Sequence, residues 1–277
     1  AEYARLSEEK ERLYDKRGCN MENKLSELIN QIVADYFHFY NCEPINLSII
    51  FSDDIWKTYF EIRPDHRSKR TEQLPSFNGT IASPLELDGT FTVIVDNQYF
   101  LSEVKNNRLS WIGTIAHEIT HVRDYKEYAQ MLSAASYDEV LTAEHRMFQL
   151  WTEFNAKRHG YYFLRKYYFD DMTDPAQIPD IINTELPGQI SFMSNEYSST
   201  SDGWHQIYTV SQFLGRLAVW EDLFPTYFTA DYIARLLTPN PWMLDLYEYL
   251  NKHRELKTAI NSFSELHEIA LQNFPGI

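Results

Sequence analysis

Residues 108–125 read Arg-Leu-Ser-Trp-Ile-Gly-Thr-Ile-Ala-His-Glu-Ile-Thr-His-Val-Arg-Asp-Tyr. In a helix each residue advances about 100°, so side chains four apart share a face, about 6 Å apart along the axis. Leu109, Ile112, Ala116, Ile119 and Val122 then fall on one side, and Thr114, His117, Glu118, His121 and Tyr125 on the other. Two imidazoles spaced as His117 and His121 can grip one metal ion. Glu118 lies beside them, where it can take a proton from a metal-activated water. The helix therefore demands an apolar body behind it and a cleft in front.

The preceding residues can supply that body. Residues 45–51 (Ile-Asn-Leu-Ser-Ile-Ile-Phe) read as a largely buried strand rich in branched side chains, and 91–96 (Phe-Thr-Val-Ile-Val-Asp) as a second strand. Residues 77–82 form a shorter strand candidate, and Asp88-Gly89 marks a turn at 87–90. Residues 53–75 are expected to form a short helix plus loop, and 97–107 a loop or short helix, with Asn107 or Ser110 capping the helix that follows. Ahead of the strands, Leu25, Leu28, Ile29, Ile32 and Tyr36 give residues 22–40 one apolar helical face. Residues 1–20 are charge-rich and read as a helical extension ending near Gly18, with Met21 an alternative start.

Downstream, 138–168 reads as one long helix, and 169–203, with three prolines and many polar residues, as a linker or irregular excursion. Four helical segments follow, near 204–221, 229–237, 241–253 and 256–272. The expected fold class is α+β: a small mixed or antiparallel sheet packed on the His-bearing helix, with a mainly helical C-terminal region. The domain expected to hold the site spans 21–168, and the helical region 204–277. No repeat and no glycine-rich phosphate loop is present.

Composition bounds the partners. Hydrophobic residues make up 44% of the 277, enough for a core. The 40 acidic residues outnumber the 25 basic ones, giving a net charge of −15, which argues against nucleic acid or an anionic membrane as the main partner. Cys19 and Cys42 could pair, but two cysteines make neither a disulfide framework nor a cysteine-rich zinc site. With no apolar run long enough for a bilayer and no signal-like start, the cytoplasm is the simplest compartment.

A catalytic zinc needs a third protein ligand and an open position. No histidine follows at short spacing, since residue 127 is Glu and residue 131 is Met. The ligand is then expected to be a carboxylate on the 138–168 helix, either Glu153 or Glu144. Ala156 and Gly160 favour Glu153, because small residues let that helix approach the first. Asp124 either orients a ligand imidazole or is a surface charge. Purely structural zinc is the weaker reading, because Glu118 would then have no duty.

Residues 45–160 resemble the zincin metallopeptidases, most closely the ImmA/IrrE-like group. The resemblance rests on the strand at 45–51, the glycine-bearing edge strand at 77–82, the Asp88-Gly-Thr turn into 91–96, Ile115-Ala-His-Glu-Ile-Thr-His, and Glu153-Phe-Asn-Ala156, which is similar to the Glu-x-x-Ala segment carrying that family's third ligand. Lys157 stands where the family often has Asn or Asp. The resemblance implies one catalytic zinc held by His117, His121 and Glu153, with Glu118 as general base for hydrolysis of a peptide bond, in a gluzincin-type endopeptidase of selective, regulatory kind. It implies a protein or peptide substrate bound as an added strand along Gly79, Thr80 and Ile81. An oxyanion-stabilising group is expected from Tyr125, His159 or His205. The alternative is a non-catalytic module that keeps the fold and uses its cleft to hold a protein partner.

Overall fold

A computed structural model describes residues 21–67, 78–106, 108–168 and 174–274. The expected N-terminal helix at 1–20, Cys19, Phe77 and Asn107 lie outside the described residues.

The first described element is helix α1 (Met21–Phe39), whose Ile29, Ile32 and Tyr36 are buried as the spacing requires, with Phe37 buried beside them. Strand β1 (Leu47–Ser52), helix α2 (Ile55–Ile62), strand β2 (Gly79–Ala82) and strand β3 (Phe91–Asp96) follow. The sheet order is β1-β3-β2. β3 runs parallel to β1, with Ile49 opposite Val93, and antiparallel to β2, with Thr80 opposite Ile94. The central strand buries Phe91, Val93, Ile94 and Val95, so its apolar run has core on both faces. β2 is the edge.

Helix α3 (Asn97–Lys105) starts at Asp96, whose carboxylate accepts the Tyr99 N–H. Helix α4 (Ser110–Leu132) carries the two histidines. Ser110 does not cap it: Leu109 is the N-cap without a side-chain bond, and the Ser110 hydroxyl turns back to Glu103. α4 ends at Ser133, which closes the last turn with φ of 52°. Behind α4, the Tyr36 hydroxyl donates to Thr120 Oγ1 (2.7 Å), tying α1 to the helix.

The expected single helix at 138–168 is broken into α5 (Tyr137–Val140), a 3₁₀ turn (Ala143–His145) and α6 (Arg146–Tyr168). Two tertiary anchors override local helical preference at the break. Asp138 is held by Arg63 and His66, and Tyr137 wedges on Phe91 and donates its hydroxyl to Leu87 O.

The expected linker at 169–203 is also mostly helical where it is described. It holds a 3₁₀ turn (Pro175–Gln177), α7 (Ile178–Asp180), a π turn (Ile181–Glu185) and α8 (Leu186–Ser198). Pro175 sits in the first turn of this run, where a missing N–H costs nothing, whereas Pro179 and Pro187 lie within helical backbone, flanking the π turn. Ile178, Ile181, Leu186 and Met193 give the segment a buried face.

The remaining helices are α9 (Gly203–Leu223), α10 (Ala230–Leu237), α11 (Pro241–Lys252), α12 (Leu256–Ala259) and α13 (Phe263–Asn273). One continuous apolar core joins Ile32 and Phe91 to Phe154, Leu214 and Phe274. The architecture is thus a mainly helical α+β fold with a three-stranded mixed sheet. No described helix is long and apolar enough to cross a membrane.

α6 is sandwiched, with α4 along one side and α9 along the other. A Cβ on Gly160 of α6 would lie 2.6 Å from Gly113 O and 2.8 Å from His117 N, both backbone atoms of α4. Gly160→Ala is therefore expected to force the helices apart and lower stability by about 1–3 kcal/mol. Chemical denaturation measures this, and an unchanged midpoint would contradict so close an approach.

Candidate metal centre

His117, Glu118 and His121 are all buried, with relative exposures of 8%, 6% and 7%. The front of α4 faces a recess under α6 and β2 rather than open solvent. The two imidazole rings stand nearly perpendicular, at 87°, with centroids 4.5 Å apart. Their Nε2 atoms are 3.0 Å apart. Glu153 Oε1 lies 2.8 Å from His121 Nε2 and 3.3 Å from His117 Nε2. A zinc with bonds of about 2.0–2.1 Å needs donors about 3.3–3.4 Å apart on a tetrahedral face. The triangle is within a few tenths of an ångström of that size, and its donor set, two nitrogens and one carboxylate oxygen, suits zinc. Glu144 is exposed on the 3₁₀ turn before α6 and does not line the recess.

Protonation suits the same role. Burial, reinforced by neighbouring His121 and Lys157, pushes His117 down to about 3, so its ring is neutral. Burial opposes ionisation of Glu153, but His121 and His117 outweigh it and hold the carboxylate well below its usual range. For His121 burial works downward, yet Glu153 raises the net value. Burial lifts Glu118 to about 7. Glu118 Oε1 is 4.0 Å from His117 Nε2.

A second layer fixes His121. The Thr152 hydroxyl donates to Asp124 Oδ2 (2.8 Å), and so does Asn155 Nδ2 (2.8 Å). Having spent its one proton on Asp124, Thr152 Oγ1 must accept from His121 Nδ1 at 3.1 Å. That places the His121 lone pair on Nε2, toward the triangle. Asp124 is accordingly 2% exposed and not a surface charge, and it acts on the imidazole through Thr152. His117 Nδ1 is buried with no hydrogen-bond partner among the described residues.

The recess is a cleft of about 430 Å³. Asn78, Gly79, Thr80 and Ile81 form one wall with the open edge of β2. A Cβ at Gly79 would sit 3.1 Å from Glu118 Oε1, so the bare backbone there admits the carboxylate. Of the three expected oxyanion partners, Tyr125 and His205 line the cleft. His159 does not. Its ring packs against Tyr40 and its Nδ1 pairs with Asn155 O, away from the metal triangle.

Helix α9 contributes residues that pattern reading passed over. Gln212 Nε2 donates to Glu153 Oε2 (3.2 Å), and the Tyr208 hydroxyl is hydrogen-bonded to Glu153 as well. Burial, aided by Glu153, holds the Tyr208 phenol well above its ordinary value, so it keeps its proton. Tyr208, Gln212 and Arg216 recur every fourth residue, facing Gln149, Glu153 and Lys157 at the same spacing on α6. These matched polar stripes were the available signal.

A second group with ligand-like spacing, Asp65, His66 and Asp138, also exists among the described residues. There the Arg63 guanidinium already fills the centre, bonding Asp138 at 2.7 and 2.8 Å and Asp65 at 2.8 Å. It is an ion-pair clamp between the end of α2 and α5. No family model, curated protein or solved structure matches the chain.

Proposed function

We propose that this chain is a zinc-dependent peptidase, acting on a protein or peptide in the cleft between β2 and α9. The observation that carries the reading is the buried triangle of His117, His121 and Glu153 with the Glu118 carboxylate beside it. The resemblance of residues 45–160 to the ImmA/IrrE-like zincins agrees with it, as does an α+β body with a sheet edge open to the site.

When bound, zinc would supply Lewis acidity toward the scissile carbonyl and lower the pKa of water from about 15.7 toward 7. The residues do the rest. Glu118 takes the proton of the attacking water and hands it to the leaving amine. Its burial, which raises its proton affinity, suits both halves of that transfer. Tyr125 and His205, which both line the cleft, are the candidate donors to a developing oxyanion, the Tyr208 hydroxyl being committed to Glu153. The unpaired side of β2 aligns an extended substrate by backbone hydrogen bonds.

The purified chain is expected to hold about one zinc. A chelator should remove the metal together with hydrolysis of a fluorogenic peptide library, and zinc should restore both. The metal-loaded form should melt higher than the stripped form, because ligand binding to the folded state alone adds stability. Elemental analysis showing no stoichiometric metal would sink the proposal, and zinc without any cleavage would favour the protein-holding module.

A further inference from the structure

The cleft contains two cations that the chemistry above does not use. Lys157 lies one helical turn beyond Glu153 on α6. Arg216 lies one turn beyond Gln212 on α9. Both line the cleft together with Thr114, Glu118 and Gly79. The helices meet here almost backbone to backbone, since a Cβ on Gly215 would be 2.6 Å from Phe154 O and 3.0 Å from Lys157 Cβ. The two side chains are therefore carried on a tightly packed seam.

Among the described residues, no carboxylate comes within ion-pair distance of either cation. Most of the other partly or fully buried arginines differ, Arg146 over the Trp204 ring being the exception. Arg63 pairs with Asp138, Arg123 with Asp124, Arg158 and Arg254 with Asp222, and Arg165 with Glu185. In a chain with 40 acidic residues, acids were available to neutralise Lys157 and Arg216. The nearby acids are held elsewhere or stand off: Glu153 is taken by both imidazoles, Gln212 and Tyr208, Glu185 near Arg216 is taken by Arg165, and Glu118 attracts Lys157 only from beyond ion-pair distance.

Leaving them unpaired has an electrostatic cost. Burial, then repulsion from Arg216, brings Lys157 down to about 8, so it still carries its proton at neutral pH. Burial also lowers Arg216, whose guanidinium lies over the Tyr161 ring at 5.5 Å. An anion between them would relieve both penalties.

We propose that Lys157 and Arg216 form a carboxylate-binding subsite beside the metal triangle, so that the peptide taken by this cleft bears a carboxylate next to the bond that is cut. This rests on the peptidase reading for its meaning and deepens it by naming the substrate class. A guanidinium fork can hold both oxygens of a carboxylate, and the ammonium adds a point charge. A monoanion fits better than a phosphate, because Glu118 and Glu153 share the cleft and would repel a dianion. The carboxylate can be a peptide's C-terminus, which makes the enzyme trim chain ends, or a Glu or Asp side chain, which makes it cut internally.

The test is retention of peptide pools on the immobilised full chain, read by mass spectrometry, with and without zinc. Four pools of tetrapeptides built from uncharged residues are compared. One ends in a free carboxylate and one in an amide; a third, amide-ended, carries one Glu, and the fourth has Gln in its place. One charged pool should be retained about tenfold or more over its neutral counterpart, the span of a charge-assisted hydrogen bond. Preference for the first pool identifies the terminal carboxylate, and preference for the third the side chain. The double variant Lys157→Met, Arg216→Met should lose the preference, and Lys157→Met alone should weaken it if the double variant fails to fold. Equal retention of charged and neutral pools overturns the subsite, as does a preference that survives substitution. Zinc content and cleavage of the same pools are read in parallel. Cleavage without preference defeats only the subsite, and preference without zinc or cleavage defeats only the peptidase.

Discussion

Replacing Glu118 with Gln should abolish hydrolysis while leaving the zinc in place. The amide has nearly the same shape, so the helix and the triangle of His117, His121 and Glu153 keep their geometry. It cannot accept a proton, and loss of general-base catalysis costs about 10²–10⁴ in rate. Elemental analysis and hydrolysis measured on one preparation check both halves. Zinc lost along with activity would make Glu118 a structural residue. The metal-free proteins offer a second reading. Glu118 binds its proton more tightly folded, at about 7, than its ordinary value of 4.5. As pH rises between those values the unfolded chain gives up this proton and the folded chain keeps it, so stability falls through that window and levels off above about 7. The amide of Glu118→Gln has no such proton to lose, so the metal-free variant should gain on the wild type as pH rises from 4.5 to about 7.

Glu153→Ala should weaken zinc binding by more than the roughly 10–100-fold typical of losing a residue that merely supports a ligand. The substitution removes one of three donors. It also leaves the Gln212 amide and the Tyr208 hydroxyl without their shared acceptor. Glu144→Ala, on an exposed turn outside the cleft, should leave affinity unchanged. Competition with a fluorescent chelator measures both. A tight site in the first variant and a lost one in the second would reverse the ligand assignment.

The parts of this molecule that were readable in advance are those where one local rule decides. The helical spacing of His117 and His121 fixed their common face, and the branched run at 91–96 announced a strand. Gly160 marked where two helices touch, because only a missing Cβ allows 2.6 Å to backbone oxygen. What could not be read depends on distant partners. The break after Val140 is caused by Arg63, seventy-five residues earlier, taking hold of Asp138. The helices between 178 and 198 were hidden by Pro179 and Pro187, which read as stops, although the backbone stays helical through both and changes from α to π and back between them. Thr152, Tyr208 and Gln212 are ordinary side chains whose importance comes only from what they face.

The brevity of β2 sets a ruler for whatever lies along it. Four residues at about 3.3 Å each make an edge only about 13 Å long. A chain laid there is gripped over few backbone groups, so pairing alone cannot tell one sequence from another. Discrimination then falls to the helical walls, where Trp204, His205, Phe192 and Arg216 present side chains of very different shape and charge. A folded protein could reach the cleft only by offering an already loosened end or loop, which would make the conformational state of the substrate as selective a criterion as its sequence.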